Sequence, residues 1–136
     1  MNSDLYLEKN ISQQPAIDLL TAMGYTYISP ADCDKQRGSR YHVLLRDILR
    51  GQLRRLNRYV YAGAENEFSA ANIERAMEDL DEPLTDGLGR TSEKIYDALL
   101  LGKSYPETVG DGKMLSFNLR YIDWDNPQNN MFHVTE

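Results

Sequence analysis

Residues 40–57 read RYHVLLRDILRGQLRRLN, and this stretch decides the fold class. Its apolar side chains recur at helical spacing and form one broad face, made of Val43, Leu44, Ile48, Leu49, Leu53 and Leu56. The opposite face is rich in arginine. The pattern predicts a long amphipathic helix from about Arg40 to Asn57, with its apolar face against a protein core.

Three further helices are predicted from N-capping side chains, apolar positions at helical spacing and helix-ending residues. Their N-caps are Ser12, Ser69, and either Thr91 or Ser92. The first of these helices is expected to end at Gly24 and the last at Gly102. The segments 30–38 and 63–68 are expected to be loops.

The hydrophobic period changes to two after the last helix. Residues 113–123 alternate between apolar and polar side chains, as a half-buried strand requires. Turn-forming residues fill 125–130, and 131–135 is predicted to be a returning strand. With a short extended piece at 25–28, the expected fold is α+β, mostly helical with a C-terminal β-hairpin, in a single domain over 1–136. The open edge of that hairpin predicts self-association.

Composition indicates a soluble domain with a core of its own. The chain has 136 residues, of which 41% are hydrophobic, enough to form a packed core without disulfides or metals. It contains no apolar run long enough to span a membrane and does not begin like a signal peptide, so a cytoplasmic location is expected. Cys33, His42 and His133 do not have the spacing of a zinc site, so no metal site is expected.

Positive charge is concentrated in the predicted long helix. The formal net charge is −6, yet residues 35–58 contain eight basic residues against Asp47 alone. Four arginines follow one another at intervals of four: Arg46, Arg50, Arg54 and Arg58. Because four like charges at this spacing repel one another, either carboxylates within the protein or a phosphate backbone must offset them. Both interpretations, an ion-pair face and a DNA-contacting face, remain open at this point.

No segment forms a complete catalytic set. The glycine pairs at 87–89 and 110–112 lack the lysine and the pattern of a phosphate-binding loop and are expected to be turns. Asp123 and Asp125 flank Trp124 and are able to bind Mg²⁺, but an Asp-Asn-Pro turn explains them better. Glu8 precedes the first helix, where it is either a metal-site acid or a favourable charge at a helix N-terminus.

Several stretches together resemble the N-terminal region of the R (HsdR) subunit of type I restriction-modification enzymes. They occur in family order and cover nearly the whole chain. The matching segments are 7–25, 40–57, 68–73, 95–102 and 121–134, the last reading YIDWDNPQNNMFHV.

This resemblance implies a larger protein with a nuclease domain, ATP-driven motor domains and a helical region that docks on the methyltransferase. Its implied partners are double-stranded DNA and the methyltransferase and specificity subunits, without a membrane. Mg²⁺ and ATP are implied for the full-length protein, and no cofactor for this chain. The family's Mg²⁺-binding Asp and Glu-x-Lys follow segment 121–134, so the implied fold is the beginning of a restriction-endonuclease-like domain, truncated before its catalytic strands and inactive alone.

The resemblance also bears on individual residues. Glu8 matches an acidic residue that enters the family's first helix and is the single candidate catalytic residue. Gln13 and Gln14 stand where other branches of the family carry Glu. Asp123 and Asp125 match the turn segment rather than the catalytic carboxylates. The rival hypothesis is a small standalone binding module whose arginine-rich helix contacts an acidic partner or DNA.

Overall fold

The computed structural model describes residues 9–38, 42–81 and 87–136, and its backbone contacts divide the chain into two compact units. The first unit comprises the residues up to 42 together with 131–136, and the second comprises 43–130. Helices and strands occur in both, which confirms the α+β class. A single domain over 1–136 stays a prediction.

In the first unit, helix α1 (Gln14–Ala22) continues directly from a π-helical turn at Lys9–Gln13. Helical structure therefore begins before Ser12, which is not the N-cap that the sequence predicts. The other end agrees with prediction, because Gly24 follows the helix with φ of 105°.

Helix α2 (Pro30–Arg37) replaces a predicted loop. The Ser29 hydroxyl caps it by accepting a hydrogen bond of 3.2 Å from the Asp32 amide, and Gly38 ends it with φ of 73°. Strong capping at both ends explains why a segment with few apolar residues is helical.

Two short strands complete the first unit. Strand β1 (Thr26–Tyr27) pairs in parallel with a strand near the C-terminus, His133–Val134. The Thr26 amide donates to the Phe132 carbonyl at 2.8 Å, and the Ile28 amide donates to the Val134 carbonyl at 2.9 Å.

The second unit contains three helices, α3 (Arg46–Leu56), α4 (Ala70–Leu80) and α5 (Leu88–Leu101). The predicted cap of α4 is confirmed, since the Ser69 hydroxyl accepts a bond of 3.3 Å from the Asn72 amide. Helix α3 begins several residues later than predicted, and Arg40 lies outside the described residues. Helix α5 begins before Thr91, so neither predicted cap is its N-cap.

The segment predicted as a loop around 63–68 instead belongs to a hairpin. Strands β2 (Arg58–Tyr61) and β3 (Ala64–Glu67) pair antiparallel around Ala62 and Gly63, which have φ of 50° and 78°. Positive φ at both central positions gives the twist that a two-residue hairpin turn requires.

The predicted C-terminal hairpin is wrong. Strand β5 (Lys113–Leu119) pairs antiparallel with the strand before it, β4 (Lys103–Val109), across the short turn Gly110–Gly112. Pro106 and Glu107, which are depleted in strands, hide β4 in the sequence. The last strand, numbered β6, is the His133–Val134 strand that pairs with β1.

A hydrogen-bonded turn redirects the chain after β5. Each Asp123 carboxylate oxygen accepts one bond, from the Asn126 amide at 2.9 Å and from the Asn129 side chain at 3.0 Å. The Asn130 side chain bonds both the amide and the carbonyl of Asp123, each at 2.9 Å. The turn interpretation of Asp123 is therefore confirmed, and the bond from Asn129 is the main cause that lowers the pKa of its carboxyl.

The core of the second unit lies between its helices and the β4–β5 hairpin. Its buried side chains are Leu53, Phe68, Ile73, Ala76, Met77, Ala98, Tyr105, Leu119 and Tyr121. Tyr59 of β2 stacks on Phe117 of β5 with ring centroids 4.4 Å apart, which packs the two hairpins together.

Candidate functional site

Helix α3 places one face in the core and the other in solvent. Leu53 is completely buried and Gln52 is buried beside it, whereas Gly51, Arg54 and Arg55 are exposed. The amphipathic pattern of the sequence therefore correctly identifies the face that presents arginine to solvent.

The two arginines nearest the start of α3 bind carboxylates of α4 and its C-cap. Arg50 Nε lies 2.5 Å from Glu74 Oε1, and Arg50 Nη1 lies 2.9 Å from Asp47. Arg46 Nη2 lies 3.0 Å from Asp81. The pairs with Glu74 and Asp81 join α3 to α4 and its C-cap. They neutralise much of the positive charge at the start of the arginine row, which is made of Arg46, Arg50, Arg54 and Arg58.

The ion pairs also shift the ionisation of their partners. The pKa of the Glu74 carboxyl lies below its ordinary value, mainly because Arg50 donates hydrogen bonds to it. The nearby positive charges of Arg46 and Arg54 lower it further. Hydrogen bonding to Glu74 in turn raises the pKa of the Arg50 guanidinium.

The last turn of α3 is different. Arg54 makes no ion pair with any residue that the structure describes. Arg55 donates one bond of 2.8 Å to the Asn129 carbonyl, which leaves further guanidinium N–H groups exposed. Two positive charges therefore stand at the exposed end of the helix.

Arg58 does not continue the helical row. It is the first residue of β2 and lies 3.2 Å from Glu67 on the paired strand. The chain leaves the helix at Asn57, whose side chain donates to the Leu53 carbonyl at 3.0 Å and accepts from the Arg120 amide at 2.8 Å. For Arg46, Arg50 and Arg58 the ion-pair interpretation is confirmed; contact of the row with DNA stays a prediction.

Two buried polar residues were not singled out for a role by the sequence. Asn57 holds the end of α3 against the end of β5, with a second donated bond of 2.8 Å to the Arg120 carbonyl. Glu107 accepts bonds from the Ser69 amide at 2.7 Å and from the Asn72 side chain at 2.9 Å, so it supports the N-terminus of α4. Apart from Leu53, which precedes Asn57 by four positions, their partners are distant in sequence, so no local signal reveals how they join these elements.

No candidate metal centre is formed by the described ranges 9–38, 42–81 and 87–136. They contain no group of three or more His, Cys, Asp or Glu residues arranged to hold a metal ion. Cys33 is buried in α2, and Glu8 lies outside the described residues. Within the same ranges, no helix is both long and apolar enough to cross a membrane.

Comparison with known protein families gives a match that covers almost the whole chain. Residues 5–136 match the family model described as the N terminus of the type I restriction enzyme R protein. The chain belongs to this family. No curated protein and no solved structure matches it significantly.

Membership identifies the chain as the N-terminal region of a type I restriction enzyme R subunit, a component of a restriction-modification complex. The match covers essentially the whole chain, so α3 and its exposed arginines belong to the family region.

Proposed function

We propose that this chain is the N-terminal part of the nuclease domain of a DNA-cleaving, ATP-dependent translocating subunit. The family match over residues 5–136 supports this proposal. The full-length protein would hydrolyse DNA phosphodiesters with Mg²⁺, which lowers the pKa of a bound water when it is present. The chain by itself would be inactive.

No step of that reaction is attributed to the described residues. They offer no group of ligands for a metal ion, and the sequence contains no phosphate-binding loop for ATP. Glu8 remains the proposed acidic contribution of this region, at the entry to the first helix. The contribution of the described residues is structural: they form the first helix and the first paired strands of the domain.

The β1–β6 pair supports the proposal of a larger sheet. Parallel strands are stable mainly in sheets of several strands that are covered on both faces. Here each strand has two residues, and its pairing within the described residues is limited to one neighbour. We propose that the strands bearing the catalytic Asp and Glu-x-Lys extend this sheet in the full-length protein, and that the open edge mediates self-association of the shorter chain.

The proposed partners are double-stranded DNA and the methyltransferase and specificity subunits, in the cytoplasm. Helix α3 supports the DNA proposal, because its last turn exposes Arg54 and Arg55 in a chain of net negative charge. The same face is also able to meet the motor domains.

The deciding experiment reads the source DNA downstream of the Glu136 codon and assays its product. The proposal expects an open frame that encodes an Asp, a Glu-x-Lys and then a P-loop lysine. Co-expressed with its partner subunits, the product should cleave duplex DNA only with both Mg²⁺ and ATP. A stop codon directly after Glu136 would overturn the nuclease proposal and favour a standalone binding module.

A further inference from the structure

A glycine in the middle of α3 has no structural explanation in the described part of the chain. Glycine is the least favourable residue in a helix interior apart from proline. Gly51 is not one of the glycines with positive φ, so the backbone does not require it. Beyond its chain neighbours and the backbone of its own helix, a Cβ atom at this position would meet no atom of the described residues within 4 Å, so packing does not require glycine either.

The position of this glycine links it to the unpaired charge of α3. Residues three and four positions later on a helix lie on the same face, and here these are Arg54 and Arg55. All three positions are exposed. One turn earlier on this face, the exposed Asp47 carboxylate lies 2.9 Å from a guanidinium nitrogen of Arg50, which also binds Glu74. The helix therefore presents a bare backbone patch next to two guanidinium groups.

We propose that this surface, which we call the Gly51 patch (Gly51, Arg54 and Arg55), is where the phosphodiester backbone of duplex DNA contacts the chain. Absence of a side chain at Gly51 allows the sugar-phosphate chain to approach the helix closely. Arg54 and Arg55 then bind phosphates on either side, for which the planar guanidinium is well suited. The inference rests on the proposed function and names the contact surface within it.

The patch differs from the arginine row of the sequence. Arg46 and Arg50 are excluded because carboxylates of Asp81, Glu74 and Asp47 already bind them. Arg55 is added because its one bond to a backbone carbonyl leaves its charge uncompensated.

The first test is the salt dependence of duplex binding. A short labelled duplex of arbitrary sequence is titrated with the chain at several NaCl concentrations and followed by fluorescence anisotropy. The double variant Arg54→Ala/Arg55→Ala should reduce the slope of log K against log salt by about 1.8, at about 0.9 for each lost phosphate contact. Arg90→Ala is the matched control, because it removes an exposed arginine from α5. Its slope should equal that of the wild type.

The second test adds a side chain at Gly51. Gly51→Leu should weaken binding about tenfold, or about 1.4 kcal/mol, by blocking close approach. It should leave the salt slope unchanged, because no charge is lost. Gly89→Leu is the matched control, since Gly89 lies in α5 and a Cβ there also meets nothing within 4 Å. Leucine favours helix, so both variants should remain folded, which circular dichroism checks.

Three results would overturn the inference. They are no duplex binding by the wild type at the lowest salt, variants of the patch that behave like their α5 controls, and displacement of the duplex by polyglutamate of equal charge. The last result would assign the patch to an acidic protein. None of them changes the reading frame after Glu136, so failure of this inference is distinguishable from failure of the proposed function.

Discussion

The two units bury very different numbers of apolar side chains. Of the twelve buried hydrophobic residues in the described ranges, ten lie in the second unit, and only Ile17 and Cys33 lie in the first. Exposed large apolar side chains occur in both units; those of the first are Ile11, Leu19, Met23, Tyr27, Met131 and Phe132, and those of the second are Val43, Val60, Leu88, Tyr96, Leu100, Leu101, Met114, Leu115 and Trp124. The second unit therefore has a core that can support its own fold, whereas the first buries few apolar side chains and leaves others exposed, where they are suited to further packing.

This difference assigns separate tasks to the two regions. The second unit carries the exposed arginines on a helix that a packed core holds in place. The first unit carries the short parallel strands, and its exposed apolar side chains suit the additional sheet and helices of the proposed full-length nuclease domain. The larger buried core and the exposed arginines belong to the second unit, and the short parallel strand pair belongs to the first.

The largest expected difference is between two leucines. Leu53→Ala should lower the free energy of unfolding by about 2–5 kcal/mol, because Leu53 is fully buried. Leu19→Ala in the first unit should change it by less than about 0.5 kcal/mol, because 62% of Leu19 is exposed. Urea unfolding followed by far-UV circular dichroism, which reports the helices of both units, measures both. Equal losses of unfolding free energy in the two variants would contradict the inference that the second unit has the larger core.

The second largest loss of stability is expected for replacement of Asn57. Asn57→Ala removes three hydrogen bonds that join the end of α3 to Leu53 and Arg120, so it should destabilise the second unit by about 1–3 kcal/mol. Asn118→Ala is the control, because that exposed side chain donates a single bond of 3.2 Å to the Leu101 carbonyl. If Asn118→Ala cost as much, burial of the Asn57 amide would not be the cause.

Alkaline pH should weaken the core of the second unit. Burial is the main cause that raises the pKa of Tyr121 to about 12. A group with a raised pKa in the folded state contributes stability below its unfolded pKa, about 10 for tyrosine, and loses it as pH rises through the folded value. Stability should therefore fall above pH 10. Tyr121→Phe should flatten this decline at a cost of about 1 kcal/mol near neutral pH, since its 2.6 Å bond to the Ala76 carbonyl is lost. Chemical denaturation between pH 8 and 11 tests this, and an unchanged slope in the variant would contradict it.

The smallest effect is expected for the exposed ion pairs. Arg50→Ala should cost about 1 kcal/mol or less at neutral pH, because both partners are partly solvated and screened. Arg50 lowers the pKa of Glu74, so this contribution is present above the unfolded pKa of about 4.3 and is lost as pH falls through the lower folded value. The stability difference between wild type and variant should thus vanish in acid. A difference that persists below pH 3 would indicate lost packing rather than lost charge.

Local signals in the sequence are enough to predict several helices and strands correctly. The amphipathic pattern predicts α3 and its exposed arginines, the Ser69 hydroxyl predicts the start of α4, and Gly102 predicts the end of α5, where it has φ of 77°. The alternation in β5 predicts a strand correctly. In each case the determining residues lie within a few positions of the element that they shape.

Long-range contacts explain most of the errors. The pairing of β6 with β1 rather than β5 places Thr26 opposite His133 and Tyr27 opposite Val134, residues far apart in the sequence. The separation of Arg58 from the helical row depends on Asn57 and its bonds to Arg120. In both cases residues far apart in the sequence come into contact, and the periodic pattern of a single segment does not show which distant residues will meet. For the candidate site, the sequence predicts the four arginines as one row. The structure divides this row, because carboxylates of α4 and its C-cap bind the two arginines at one end.

The pairing of β1 with β6 has a consequence for the order of folding. Tyr27 and Glu136, which share a hydrogen bond beside these strands, are 109 positions apart in the sequence. Closing so large a loop costs chain entropy before any contact compensates for it, whereas the hairpins and helices of the second unit close over short distances. We expect the parallel pair to form last during folding and to open first in the native state, so that the amides of Thr26 and Ile28 exchange with solvent well before those of β5.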